Sequence, residues 1–409
     1  MNFENEQHLG GKLVGIGKIR TDGTMEHQFL EKPIKNKIVS TGLDHMLRYK
    51  GDNTAYYGVY NDYANWIIGA LGGQEHWCPL TFSSFGTSAE STSFFDEGLK
   101  EWIGTRTSTK VSGNGLCGTK INAFGNYSFR VTHKHNAVSE TTTVNEIAWF
   151  GRYGSSTYTY PMFSRVVLDT PIVLSAGEQL ITTYQLDVQY AGTQEENISF
   201  FGLTDVNGQP LKAQKKLVVY QKKNTSYDWQ EEISPSYIDS SGVSNSSNTA
   251  ISFAHPCVVP NSYSSTGYQY TGGLFYSIGS LQLPSDGVSI NPQSYSSSYE
   301  KSYYVPITSG SQISSATYDF GKLNEYNGVG RTTKYRDVTY VIGAYLPMIG
   351  ASNGYKDITN FACRGYAYRF GYYDEGNNWV QQAFRKYANQ ELTLTFRTRF
   401  TTEDTTSED

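Results

Sequence analysis

From residue 180 the chain alternates without interruption. Leu180, Thr182, Tyr184, Leu186 and Val188 fall on one face of an extended chain, and Ile181, Thr183, Gln185 and Asp187 on the other. Period two predicts a strand with one face on a core. Upstream, Phe163-Ser164-Arg165-Val166-Val167-Leu168 predicts a partner strand. Asp169-Thr170-Pro171 should break it, because proline fixes φ and removes a ladder donor. Ser175-Ala176-Gly177 then supplies a turn, with the glycine free to take positive φ. The pattern returns late in the chain. There Leu392, Leu394, Phe396, Thr398 and Phe400 face inward, and Thr393, Thr395, Arg397 and Arg399 outward. Leu180, Tyr184 and Val188 match Leu392, Phe396 and Phe400. Two β-domains in tandem, each closing on a similar strand, account for the repeat. Duplication of one domain is a second account, resting on this one short match.

Other segments fit the same class. Residues 12–19 form a strand candidate, and Thr21-Asp22-Gly23-Thr24 a hairpin turn leading to a return strand with His27, Phe29 and Leu30. A short helix follows residues 36–39, capped by Ser40 or Thr41. A second helix fits residues 63–71. Asn61 or Asp62 would cap it, Trp66 would lie on its apolar face, and Gly72-Gly73 would stop it. Strands are expected at residues 80–87, 126–132, 143–151, 338–342 and 366–370. Lys212, Lys215, Lys216, Lys222 and Lys223 flank Leu217-Val218-Val219-Tyr220, which reads as an edge strand guarded by lysine. The expected architecture is all-β: two tandem β-sandwich, jelly-roll-like domains over residues 1–205 and 206–409, with long Tyr/Ser-rich loops and one or two short helices.

Composition sharpens this picture. The 409 residues suffice for two or three domains. Only 17% are charged, and 33 are tyrosine, a residue that suits strands and interfaces. The net charge of −5 gives no reason to expect nucleic-acid binding. No apolar run is long enough for a membrane span. The acidic start Met1-Asn2-Phe3-Glu4-Asn5-Glu6 does not read as a secretory signal. Cys78, Cys117, Cys257 and Cys363 are scattered, which argues for reduced thiols rather than a zinc site or a disulfide framework.

Five short segments resemble, in order and spacing, a pattern of structural proteins of tailed bacteriophages, particularly tail-fibre and minor tail proteins. They are Ile38-Val39-Ser40-Thr41-Gly42-Leu43-Asp44, Phe85-Gly86-Thr87-Ser88, Val144-Asn145-Glu146-Ile147-Ala148, Phe163-Ser164-Arg165-Val166-Val167-Leu168 and Gly177-Glu178-Gln179-Leu180. The resemblance covers residues 36–188 and departs from the pattern in an insertion at residues 50–80. It implies a short Gly-Leu-Asp helix before a sandwich ending in the Gly-Glu-Gln-Leu strand. It also implies a virion location, synthesis in a bacterial host cytoplasm, and a homo-oligomer contacting other virion proteins. A receptor-binding module for host surface glycan or protein is the second reading.

Residues 224–320 are rich in Ser, Tyr, Asn and Gly. Tyr263, Tyr268, Tyr270, Tyr276, Tyr295, Tyr299, Tyr303 and Tyr304 are expected either to contact neighbouring subunits or to fill the core of this half. Chemistry is sparse. His133-Lys134-His135 places two imidazoles on one strand face. In fibre tips such pairs from three chains can enclose a metal, but a single pair reads as core or solvated histidines, and no metal or cofactor is expected. Asp374-Glu375 near Trp379 reads as a hairpin turn rather than a glycosidase pair, since neighbours on a strand face opposite ways. Glu231-Glu232 has the same difficulty. Ser309-Gly310-Ser311 lacks the strand–turn–helix setting of a nucleophile. No enzyme activity is expected.

Overall fold

The computed structural model describes residues 1–47, 80–103, 108–111, 115–123, 126–151, 160–192, 196–217, 220–221, 251–252, 274–277, 305–306, 316–320, 324–328, 331–342, 354–363, 366–387 and 389–403. The chain begins with β1 (Asn2–Ile19) and β2 (Met25–Ile38), joined by the expected Asp-Gly turn with Gly23 at φ 85°. Helix α1 (Ser40–Leu47) follows. Next come β3 (Phe82–Gly86), β4 (Trp102–Ile103), β5 (Ser108–Val111), β6 (Gly118–Ala123), β7 (Asn126–Ala137), β8 (Thr142–Phe150), β9 (Met162–Leu174) and β10 (Gln179–Tyr190). Beyond them lie β11 (Glu196–Thr204), β12 (Pro210–Leu217), β13 (Tyr220–Gln221), β14 (Ile251–Ser252), β15 (Leu274–Ser277), β16 (Val305–Pro306), β17 (Ala316–Phe320) and β18 (Asn324–Gly328). The described strands close with β19 (Arg331–Ile342), β20 (Tyr355–Ile358), β21 (Asn360–Cys363), β22 (Tyr366–Tyr373), β23 (Trp379–Gln381), β24 (Phe384–Tyr387) and β25 (Leu392–Glu403). The protein is all-β, as its periodicity predicts, with mainly antiparallel sheets packed face to face. The proposed helix over residues 63–71 lies outside the described residues.

β10 sits between β1 and β7. β2 leaves β1 and crosses to β9 through its last residues, Lys37 and Ile38, so it joins that layer to a second one of β9, β8, β3 and β4. Aromatic contacts show the two layers facing each other: Trp149 on β8 lies 4.6 Å from Tyr184 on β10. The inward set of β10 is fully buried, as expected, but so are Ile181 and Thr183 on its other face. Thr183 binds His27 of β2 at 2.9 Å and Thr132 of β7 at 2.7 Å, so this end of β10 is covered on both sides.

The expected proline break takes the form of an excursion. β9 runs on to Leu174, but residues 168–171 stand opposite the single Asn145 of β8. Pro33 occupies a similar excursion, in which residues 30–33 of β2 oppose Val14 of β1. Both prolines sit where no ladder hydrogen bond is lost. Gly177 ends the β9–β10 turn at φ 84°.

β1 is also paired in parallel with β25, Phe3 opposite Phe396, so one sheet takes strands from both halves of the chain. Phe3 stacks on Phe396 at 4.6 Å and meets Phe200 of β11 at 5.4 Å and Tyr368 of β22 at 4.5 Å. The core is continuous through these rings. The expected lysine-guarded edge strand over residues 217–220 is described only at its ends, Leu217 on β12 and Tyr220 on β13. Its flanking Lys212, Lys215 and Lys216 lie on β12, which is interior, between β11 and β22; there Lys215 is 6% exposed and reaches Glu196 at 3.5 Å. Alternating Leu211 and Ala213 anchor β12 in the core, and burial lowers the Lys215 ammonium while Glu196 opposes that shift. Lys222 and Lys223 lie outside the described residues.

Candidate functional site: two buried polar centres and an aromatic surface

Arg165 on β9 is fully buried, and so is its ion partner Glu146 on β8. The Arg165 guanidinium donates from Nε to Glu146 at 2.7 Å and from NH1 to Asp96 at 2.9 Å. Its remaining N–H groups reach the carbonyl oxygens of Ser91, at 3.3 Å, and Glu90, at 2.8 Å. A guanidinium stays charged at any ordinary pH, so burial demands this full set of acceptors. Glu146 in turn accepts from the backbone amides of Lys100, at 3.2 Å, and Glu101, at 2.9 Å. Burial alone would raise the Asp96 carboxyl, but the Ser93 amide, Lys100 and Arg165 together hold it below its ordinary value. The segment 87–101 is thus tied down over the outer face of β8 and β9.

Four of the five segments behind the phage resemblance meet at this centre. Asn145 donates to the Thr87 carbonyl, and a Cβ on Gly86 would run into Glu146 and the Glu101 carbonyl. Val39 donates to the Phe163 carbonyl at 3.0 Å, and a Cβ on Gly42 would strike the Phe163 backbone. The Thr41 hydroxyl, an expected cap, donates to the Met162 carbonyl at 2.6 Å, while the Ser40 amide donates to Phe94 at 2.8 Å. The fifth segment pins the β9–β10 turn. Glu178 accepts from the Ser175 amide at 2.8 Å and pairs with Lys18 at 3.1 Å.

The second centre lies between the layers. His133 and His135 share one face of β7, as the spacing requires, and both are core residues. His135 Nε2 lies 2.8 Å from the Ser83 hydroxyl, and His133 Nε2 lies 3.2 Å from the Thr81 carbonyl oxygen. With Ser83 and His135 both buried, this pair bonds within the core instead of presenting a nucleophile. Among the described residues no group of three or more His, Cys, Asp or Glu could hold a metal. Burial drives His135 down to about 3, and drives His133 well below its ordinary value, helped by Lys110 and His135.

Of the expected contact tyrosines, Tyr276 lies on β15, its backbone opposite Phe361 of β21 and Val305 of β16. Tyr263, Tyr268, Tyr270, Tyr295, Tyr299, Tyr303 and Tyr304 lie outside the described residues, as do Glu231-Glu232 and Ser309-Gly310-Ser311. Asp374-Glu375 forms the β22–β23 turn, with Asn377 at φ 59° and the Asn378 amide donating to Asp374 at 2.8 Å. Beside this turn is a surface that sequence reasoning did not assemble. Trp379 lies over Gly371, Arg369 stacks on Trp379 at 3.6 Å, and Tyr373 meets its edge at 5.3 Å. The signal was the pair of aromatics flanking a turn on partner strands, opposite one another in register. Elsewhere, Phe201 stands wholly exposed on β11, which pairs β12 alone among the described strands. Four residues of β11 bulge there against Leu211, burying Phe200 while ejecting Phe201.

Two outcomes follow. Arg165→Ala leaves Glu146 and Asp96 as buried carboxylates without their cation, and should cost about 3–5 kcal/mol. Urea unfolding measures the loss, and limited proteolysis should cut within residues 87–101 of the variant first. The histidines give a pH dependence. Each is neutral when folded but takes a proton near pH 6.5 when unfolded, so its contribution is present above about 6.5 and lost as pH falls. Stability should decline from about pH 6.5 towards 4, by on the order of 1 kcal/mol per pH unit per histidine. His135→Gln should flatten that slope in urea titrations at stepped pH; an unchanged slope would rule out His135 as a source. No family model, curated protein or solved structure matches the chain.

Proposed function

We propose that this chain is a structural component of a tailed-phage virion, in the tail, collar or fibre apparatus, and that it acts by contact with further copies of itself and with other virion proteins. The observation that carries this reading is the meeting of four separated segments of the resemblance around Arg165. The four segments pack against one another, which supports reading them as parts of one unit rather than as unrelated short strings. Contact as the activity is supported by Phe201, whose aromatic ring is exposed on a strand that pairs with β12 alone among the described strands.

Light scattering on the purified chain tests this reading. The expected mass is a discrete multiple of 45.7 kDa. Phe201→Ser should shift the population towards the single chain while leaving the circular dichroism spectrum unchanged. A wild-type monomer at all concentrations would refute self-assembly.

A second reading, a receptor-binding module, is favoured by the Arg369–Trp379–Tyr373 surface. Half-exposed aromatics beside the polar turn 374–378 suit stacking against sugar or protein. If it holds, Trp379→Ala should lower binding of the fluorescently labelled chain to host cells at least tenfold, with the melting temperature nearly unchanged. Equal binding by the variant would remove this surface from consideration.

A further inference from the structure

Five buried polar atoms on the inner faces of the sandwich find no partner within the protein. They are both amide atoms of Asn36, the Ser164 hydroxyl, the Tyr184 hydroxyl and the indole Nε1 of Trp149. None of the four residues is more than 3% exposed. Strand register brings them together. Asn36 of β2 lies opposite Gly11 of β1. Ser164 of β9 lies opposite Ile38, two residues on from Asn36 and therefore on the same face. Trp149 of β8 is opposite Ser164. Tyr184 of β10 is opposite Leu13, two residues from Gly11.

Gly11 is what lets the fourth group arrive. A Cβ there would run into the Tyr184 hydroxyl and come within 3.1 Å of the Asn36 backbone carbonyl oxygen. The Tyr184 side chain therefore lies across β1 through the gap that the glycine leaves, and its hydroxyl reaches the neighbourhood of Asn36. The Trp149 and Tyr184 rings are 4.6 Å apart. Burial raises the Tyr184 phenol well above its ordinary value, and the Ser164 hydroxyl is close enough to oppose that rise.

The chemistry of the set selects its occupant. The Asn36 Nδ2 and the indole Nε1 donate, the Asn36 Oδ1 accepts, and the two hydroxyls can do either. Donors and acceptors thus share one patch; the Ser164 and Tyr184 hydroxyls lie near one another, while the Asn36 side-chain amide and the Trp149 indole find no protein partner. Leaving all five bare would consume much of the stability of a typical domain. An apolar occupant would satisfy none of them. An ion would be desolvated among neutral groups at high cost. Water is small, donates twice and accepts twice, and sites with two to four polar partners are where buried water is held.

We propose that Asn36, Ser164, Tyr184 and Trp149 enclose a structural water site, of one or two molecules, at the corner where β2 passes from one sheet to the other. The water adds to the direct Thr183–His27 bond between β10 and β2, and links β10 to β9 and β8 as well.

Magnetic relaxation dispersion of water oxygen-17, on the full chain, counts internal waters of long residence. The wild type should show them, and Tyr184→Phe should lose at least one while its melting temperature falls by several degrees. Ser164→Ala, a smaller change, carries the test if Tyr184→Phe does not fold. An unchanged count in a folded variant overturns the proposal, as does a rise in stability when the hydroxyl is removed, because the groups would then be dry.

Discussion

A buried guanidinium constrains everything near it. Arg165 cannot shed its charge, so β9 can take its place only once β8 supplies Glu146 and the segment 87–101 supplies Asp96 and two carbonyl oxygens. Glu146 is subject to the same demand in reverse, and answers it with the amides of Lys100 and Glu101. An apolar pair of the same volume would serve stability about as well. What the charges add is selectivity. A greasy face accepts any greasy cover, but this one accepts a segment with an acid and free carbonyl groups at the right spacing. Helix α1 is then placed by the same segment, through the Ser40 amide and Phe94.

The second constraint is the double use of β1. It is flanked by β10 on one edge and by β25 on the other over residues 7–9, and its Phe3 ring lies at the meeting of β11, β21, β22 and β25. Strands separated by most of the chain must therefore meet before that core can close. The entropy of closing so long a loop grows only with the logarithm of its length, so the cost falls on rate more than on stability. A parallel pairing between these strands cannot be nucleated by a tight turn, and its register is set instead by the stacked pair Phe3 and Phe396.

Much of this was legible in the sequence and some was not, for reasons that can be named. The strands β10 and β25 announced themselves because each has a clean period of two, and the turns at Gly23 and Gly177 because positive φ selects glycine. The cover over Arg165 was not read from alternation, because Glu146 and Arg165 sit at positions that look solvent-facing on a strand with one buried face. The available signal was the unbroken apolar run Ala148-Trp149-Phe150, which says that both faces are covered, so that any charge beside it must be paired. Lysine misled in the same way at β12. A lysine can bury its stem and reach out with its head, and Lys215 does so towards Glu196 from an interior strand. The pairing of β1 with β25 carried no local signal at all, since a half-buried strand does not say which partner it wants.

These polar centres address a weakness specific to sheets. A strand moved by two residues keeps its apolar face inward, so hydrophobic burial alone discriminates poorly between such registers. β8 and β9 are exposed to this error, because the excursion at residues 168–171 lets the two ladder segments on either side shift independently. Moving β9 by two residues past β8 would keep Phe163, Val166 and Leu168 buried in some arrangement, but it would carry Arg165 away from Glu146 and leave two charges unmatched in a dry interior. The penalty for that is larger than any packing difference between the registers. The ion pair is therefore best understood as the element that makes one register of β8 and β9 the only affordable one, and the covering segment 87–101 as what keeps the interior dry enough for the penalty to apply.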